Sequence, residues 1–327
     1  MRMLLSAMFA LLAALLCAPA QAVGEPEPST ASVSKAVLVT GASSGIGRKI
    51  TEHLAAKGYL VYATARKDAD LKALGAIKNV HPLRLDVTKP EDIADAVETV
   101  TKAGRGLYGL VNNAGVATFG TIPNMRMEEF DLSMKVNVYG PVMMIKAFWP
   151  LIVSGKGRIV NIGSPSGITD GGGPDISAYV MSKHAIEGLT DSLALQLNPL
   201  GVQVSAVEPG AYRSDIDKNM LERLTEEEKA NMLKVWGPPP DPMMFPEADE
   251  VALAVEQALF EPNPKRRYLA IPRNAKDRMN SRLPERLMRY QMKQLVRWNE
   301  GHSYTFDREA LVKMLDDALV GARPWTE

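Results

Sequence analysis

The stretch Ala36-Val37-Leu38-Val39-Thr40-Gly41-Ala42-Ser43-Ser44-Gly45-Ile46-Gly47 decides the fold. Its first five residues form a short apolar run of β type, and a cluster of glycines follows at once. A helical pattern runs from Arg48 to Lys57, and a second strand pattern from Leu60 to Ala65. Strand, glycine turn, helix and strand predict a βαβ unit, whose helix N-terminus offers backbone N–H groups to a pyrophosphate. Gly41 suits the sharp turn, Gly45 lets backbone approach a phosphate, and Gly47 allows the helix to lie close on the sheet. The spacing is G-x-x-x-G-x-G, not the G-x-G-x-x-G of many dinucleotide folds.

Polar residues fall at the ends of the strand patterns that follow. Leu85-Asp86-Val87-Thr88 closes a third, and Leu110-Val111-Asn112-Asn113-Ala114-Gly115 closes a fourth. Arg158 to Ile162 reads as the fifth and delivers Ser164 at its end. Val202 to Val207 leads into Pro209-Gly210, and Arg267 to Ile271 reads as the seventh. In an open parallel sheet, ligands sit at that edge. Tyr179 and Lys183, four residues apart, share one face of a predicted helix. There an ammonium can hold a phenol near ionisation. Tyrosine titrates near pH 10, so proton exchange at neutrality needs a shift of roughly 3 units, about 4 kcal/mol. In a chain with nine tyrosines such a pair also arises by chance, leaving a solvated helix face as the plain alternative.

Taken together, Thr40-Gly41-x-x-x-Gly45-Ile46-Gly47, Asp86, Asn112-Asn113-Ala114-Gly115, Asn137, Ser164, Tyr179-x-x-x-Lys183 and Pro209-Gly210 resemble the short-chain dehydrogenase/reductase family, in its order, over Lys35 to Pro272. The resemblance implies an α/β fold: a doubly wound, Rossmann-type parallel sheet of about seven strands. It also implies an NAD(P)-dependent oxidoreductase acting on CH–OH groups. By the same resemblance, Gly41, Ser43, Ser44, Gly45, Ile46 and Gly47 cradle the cofactor. Asp86 and Val87 lie at the adenine, Asn113 and Ala114 support the sheet and cofactor, and Pro209, Gly210 and Ser214 reach the nicotinamide end. Ser164, with Ser166 as a nearby rival, would stabilise charge on the substrate oxygen. Tyr179 would transfer the proton, with Lys183 and a cationic cofactor ring together lowering its pKa. Lys183 would also bind the nicotinamide ribose, and Asn137 would hold a water in a relay. A polar helix residue bonded internally is the plainer reading of Asn137. Thr169 to Pro174 makes the Ser164-to-Tyr179 spacing slightly longer than the family pattern.

The end of the second strand bears on the cofactor. NAD sites place an acidic residue there for the ribose hydroxyls; this chain has Ala65-Arg66-Lys67. A guanidinium suits a 2′-phosphate, so Arg66 favours NADP(H), with NAD(H) still possible. Arg48 either assists or is solvated, and Asp68 is read as capping the next helix.

Charge and composition exclude little. Lys plus Arg equals Asp plus Glu, at 38 each, so nothing points to nucleic acid. Cys17 is the single cysteine, which rules out an intrachain disulfide, and four scattered histidines show no metal-ligand spacing. Residues 1–22 look like a signal peptide or N-terminal anchor: Arg2, an apolar run from Met3 to Leu16, then Ala20-Gln21-Ala22. Residues 23–34 read as a linker. Cleavage with export, retention as an anchor, and a start lying upstream of the real one (a cytoplasmic protein) stay open, in that order.

Downstream of Pro209-Gly210, a helical pattern from Lys218 to Val235 and the apolar tip Met243-Met244-Phe245 would cover the substrate. Methionines there either form a lid over an apolar ligand or pack on the body. A helix is expected from Glu247 to Phe260. Residues 273–327 are expected to form a helical extension, with a basic amphipathic pattern from Lys276 to Trp298 and a second helix pattern over Asp307 to Leu319. The first would dock on the domain or a partner subunit, or else on a membrane. The reading is a homo-oligomeric, NADP(H)-preferring oxidoreductase for an apolar secondary alcohol or ketone. A non-catalytic ligand-binding scaffold is the alternative.

Overall fold

The computed structural model describes residues 35–168, 175–238 and 241–272. The expected N-terminal segment, its linker, the Thr169–Pro174 stretch and the C-terminal extension lie outside them.

Within the described residues the chain alternates strand and helix. Strand β1 (Ala36–Val39) leads to α1 (Gly45–Ala56), β2 (Leu60–Ala65), α2 (Asp68–Gly75), β3 (Val80–Arg84), α3 (Pro90–Lys102) and β4 (Gly109–Asn112). A continuous helical stretch follows: α4 (Met127–Met134), a π-helical turn (Lys135–Tyr139) and α5 (Gly140–Ser154). Then come β5 (Arg158–Ile162), α6 (Ser177–Leu197), β6 (Gln203–Pro209), α7 (Ile216–Arg223), α8 (Glu226–Trp236), α9 (Asp249–Phe260) and β7 (Arg267–Ala270).

All seven strands pair in parallel, in the order β3-β2-β1-β4-β5-β6-β7. This is the expected doubly wound Rossmann-type sheet. Its central strands are buried on both faces, so they read as unbroken apolar runs, not as alternating ones. One face packs against α1 and α9 through Ile50, Leu54, Val251, Val255 and Leu259. The other packs against α3, α5 and the end of α6 through Ile93, Val100, Phe148, Ile152 and Leu197. The stretch Met127–Ser154 is long and apolar enough to cross a membrane by composition. Here Met144, Ile145, Phe148 and Ile152 bury their side chains in the core, which accounts for that composition.

The chain runs outward from β1 through β2 to β3, then returns to the other side of β1 with β4. The strand order thus reverses beside β1, the place in an open parallel sheet where ligands bind.

Two local expectations are corrected. The single helix expected from Lys218 to Val235 is two, α7 and α8, broken at Leu224. Thr225 caps α8: its hydroxyl accepts from the Glu228 N–H, and the Glu228 carboxylate accepts from the Thr225 N–H. That reciprocal box was readable as Thr-x-x-Glu and favours a new start over a continuing helix. Asp68 does not cap α2. It is the first helical residue, after Lys67, and its carboxylate pairs with Arg84.

Candidate active site

The glycine turn is held by contacts that only glycine permits. Gly41 (φ +64°) and Gly45 (φ +54°) sit in the left-handed region. A Cβ on Gly41 would stand 2.9 Å from Ala114 Cα, and one on Gly47 would stand 2.3 Å from the Gly41 carbonyl oxygen. The Asn113 side-chain amide donates to the carbonyls of Thr40 (2.8 Å) and Gly41 (3.0 Å), while Thr40 Oγ1 accepts the N–H groups of Asn113 and Ala114. Thus the end of β4 fixes the loop after β1. Helix α1 starts at Gly45 with no side-chain cap at Ser44 and no acidic residue in its first turn. Its N-terminus, flanked by Ser43 and Ile46, is a place where an anion is favoured. Ser214 closes over it, since a Cβ on Gly45 would come within 2.8 Å of the Ser214 Cβ.

At the adenine side of the expected cradle, Asp86 accepts from the Thr88 N–H (2.9 Å) and hydroxyl (2.7 Å). Burial would raise its pKa, but the Thr88 hydrogen bonds and the Arg66 charge outweigh that and lower it. Val87 packs under Gly140, where a Cβ would come within 2.8 Å. The Arg66 side chain is 70% exposed, and its guanidinium stands 3.7 Å from Asp86, a loose pairing that leaves most of its donors in solvent.

Strand β5 ends at Ile162, and Ser164 follows, only 7% exposed. Its hydroxyl accepts from the Ser166 N–H (3.1 Å) and meets the Tyr179 phenol in a hydrogen bond. Ser166 thus helps to orient Ser164. Tyr179 and Lys183 stand one turn apart on α6, with Lys183 Nζ 5.6 Å from the centre of the Tyr179 ring. The buried ammonium donates to the Ile162 carbonyl at 2.9 Å, tying α6 to the end of β5. Asn137, 2% exposed in the π-helical turn, donates to the Val116 carbonyl (2.9 Å) and the Ser182 hydroxyl (2.9 Å), and accepts from the Val116 N–H (2.8 Å). Its amide is spent on holding the chain after β4 against α6. Pro209 and Gly210 end β6, and Gly210 packs against Pro272 and Ile271.

Electrostatics oppose the charged forms of both α6 groups. Burial pulls Lys183 down to about 8, with Glu208 and Glu187 acting against the fall. Burial raises the Tyr179 phenol, its hydrogen bond to Ser164 offsets part of that, and the Glu208 and Asp217 charges add to the rise. The lowering expected from Lys183 therefore does not come from the protein alone.

Over this edge lies the segment after β6. Arg126 Nε meets Glu228 at 2.8 Å, and Arg223 Nε meets the buried Glu129 at 3.2 Å, so α7 and α8 are clasped to the start of α4. Phe119, Met220, Leu224 and Met232 form a small separate core beneath. Met243 and Met244 are exposed.

Sequence reasoning passed over Glu208. It is fully buried at the end of β6, and a Cβ on Gly163 would stand 2.3 Å from its Oε2. The signal was present: an acidic residue inside the otherwise apolar run Val-Ser-Ala-Val-Glu-Pro of a central strand needs a reason.

Comparison with known proteins agrees with this geometry. Residues 35–225 match the family described as short chain dehydrogenase. Mitochondrial D-beta-hydroxybutyrate dehydrogenase of Mus musculus is 37% identical over 221 residues, covering 64% of this chain and 63% of that protein. Human 11-beta-hydroxysteroid dehydrogenase type 2 is 37% identical over 201 residues, covering 57% of this chain and 47% of its own. The match thus spans less than two thirds of either relative. A metagenomic short-chain oxidoreductase solved in complex with NADP superposes with a TM-score of 0.57 at 28% identity, over 73% of this chain and 97% of that one.

The buried ammonium gives a stability prediction. The Lys183 pKa in the fold, about 8, lies below its ordinary 10.5. The folded protein therefore binds fewer protons between those values, and stability rises with pH across that window; below about 8 the full cost, about 3 kcal/mol, is present. Lys183→Met is expected to raise stability at neutral pH by roughly 1–3 kcal/mol, with the gain shrinking towards pH ~10.5. Urea unfolding at a series of pH values measures this; a less stable variant at neutral pH contradicts it.

Proposed function

The chain belongs to the short-chain dehydrogenase family, and from that premise we propose that it is an NADP(H)-preferring oxidoreductase interconverting an apolar secondary alcohol and its ketone. The observation that carries this reading is the meeting of Ser164, Tyr179 and Lys183 at one strand end, beside a glycine cradle that side chains would fill. The names of the relatives, a hydroxybutyrate and a hydroxysteroid dehydrogenase, support a hydroxyl substrate.

The residues fit a dinucleotide. Gly41, Ser43, Ser44, Gly45, Ile46 and Gly47 would hold the pyrophosphate at the α1 N-terminus, Asp86 and Val87 the adenine, and Arg66 a 2′-phosphate. Asn113 and Ala114 would back the cofactor, with Pro209, Gly210 and Ser214 at its nicotinamide end. When bound, the nicotinamide supplies or accepts the hydride. Ser164 donates a hydrogen bond to the substrate oxygen and stabilises the charge that develops there. Tyr179 gives or takes the proton at that oxygen. Lys183 holds its charge against burial beside the phenol, the cation on the chain's own side that favours its ionised form. With its amide engaged, Asn137 acts first as a positioning residue, and any water relay falls to its backbone or its remaining lone pair. The exposed Met243 and Met244 suit a closing apolar lid.

A homo-oligomer, with membrane association through the N-terminus or the basic C-terminal helix, is part of the same proposal, as is a signal or anchor in residues 1–22. The rival reading, a ligand-binding scaffold without catalysis, draws support from that export-type N-terminus. Intact mass of the protein from separated cell fractions should show either a species beginning at Val23 or a membrane species retaining Met1; a soluble cytoplasmic form starting later rejects both.

Tyr179→Phe should abolish turnover while NADPH affinity stays within about threefold, since only the proton is lost. Unchanged turnover would remove the mechanism. Arg66→Ala should weaken NADPH about tenfold or more, with little effect on NADH, because only the former offers a 2′-phosphate to the guanidinium. Equal losses, read by titrating cofactor fluorescence, would remove the stated preference.

A further inference from the structure

Lys183 and Glu187 stand four residues apart on α6, the spacing at which an ammonium and a carboxylate ordinarily pair. Among the described residues they do not pair. Lys183 donates to the Ile162 carbonyl, and Glu187 Oε2 accepts from Arg267 Nε at 2.7 Å. Arg267 is itself shared with Asp191, at 2.9 Å. The other Glu187 oxygen is buried and meets no donor among the described residues, and neither does either oxygen of Glu208. Yet the Glu187 and Glu208 side chains come within hydrogen-bonding reach of each other. Two buried carboxyls meet in this way over one shared proton. Glu187 already accepts from Arg267, whereas neither Glu208 oxygen meets a donor among the described residues, so the proton belongs on Glu208. Burial, followed by the Glu187 charge, raises the Glu208 pKa, against the opposing charges of Lys183 and Arg267.

Resting on the proposed function above, we propose that Glu208 is a positioning residue: its carboxylic acid occupies the Glu187 oxygen that Arg267 leaves open, and so keeps Lys183 turned to Ile162 and Tyr179. Without Glu208, that oxygen is free to capture the ammonium one turn along its own helix. Gly163 belongs to the same device, since the Glu208 carboxyl fills the place where any other residue would carry its Cβ. The groups facing the acid are Lys183 and Glu187 from α6 and Arg267 from β7, with Tyr179 nearby.

Two substitutions of the full-length protein separate the possibilities. Glu208→Gln remains neutral, fits the same space and can donate to Glu187; Glu208→Met fits and cannot donate. The readout is ionisation of Tyr179 with NADP+ bound, taken as the tyrosinate absorbance difference between each protein and its Tyr179→Phe counterpart. It is accompanied by the pH dependence of kcat for whichever alcohol the wild type oxidises. Glu208→Met should move the Tyr179 midpoint upward by about one pH unit and lower kcat about tenfold at neutral pH, with NADP+ affinity kept. Glu208→Gln should recover most of both. If Glu208→Met changes only the unfolding midpoint, the residue is merely structural and the proposal fails. If Glu208→Gln shifts the ionisation as far as Glu208→Met, the wild-type group is an ionised carboxylate and the shared proton is wrong. A wild type that turns over no alcohol rejects the enzyme reading instead, and the absorbance titration still decides the role of Glu208.

Discussion

The close seating of the loop after β1 on the end of β4 is the constraint on which the rest depends. Asn113 spends its side-chain amide on two carbonyls of the β1 turn, and Thr40 returns the favour to two N–H groups. Those bonds close only if Gly41 and Gly47 lack side chains, because a Cβ on either would meet Ala114 or the Gly41 carbonyl. The contact lies where the strand order reverses, so it sets the width of the crevice and the aim of the α1 N-terminus together.

The other wall of the crevice is built around a charge that the fold holds at a cost. Lys183 is nearly buried and, among the described residues, has one carbonyl as its hydrogen-bond acceptor; burial lowers its pKa. Proteins retain such groups where chemistry needs them, and stability is lost in return. Around it, Ser164 is set by the end of β5, and Asn137 by a π-helical turn that interrupts one long helix. Single-turn π segments of that kind recur at functional sites. Two arginine–glutamate pairs then fasten α7 and α8 above the edge.

Strands and glycine roles were legible because local pattern and tertiary demand coincide there. Leu60–Ala65 is apolar throughout since it is buried on both faces, and the turn glycines carry positive φ or direct backbone contact. That Ser164, Tyr179 and Lys183 come together was legible from their places at strand and helix positions, although fourteen residues separate the serine from the tyrosine. The break between α7 and α8 was missed because apolar periodicity runs through it, while the Thr225–Glu228 box that decides the matter is polar. Glu208 was missed for a different reason. Its role depends on Glu187, Arg267 and Gly163, which lie far apart in sequence and meet only when β5, β6, β7 and α6 assemble. The raised Tyr179 phenol was likewise invisible, since desolvation is a property of the packed site.

Hydride exchange at the carboxyl edge of this sheet is the central proposal. Its most direct test is to incubate the protein with NADPH deuterated at the nicotinamide C4 and a set of apolar ketones, and to analyse the products by mass spectrometry. The account predicts a secondary alcohol carrying deuterium on its carbinol carbon, with oxidised cofactor in equal amount. Bound cofactor with no deuterium transferred to any ketone would contradict it, and would leave the fold as a binding scaffold.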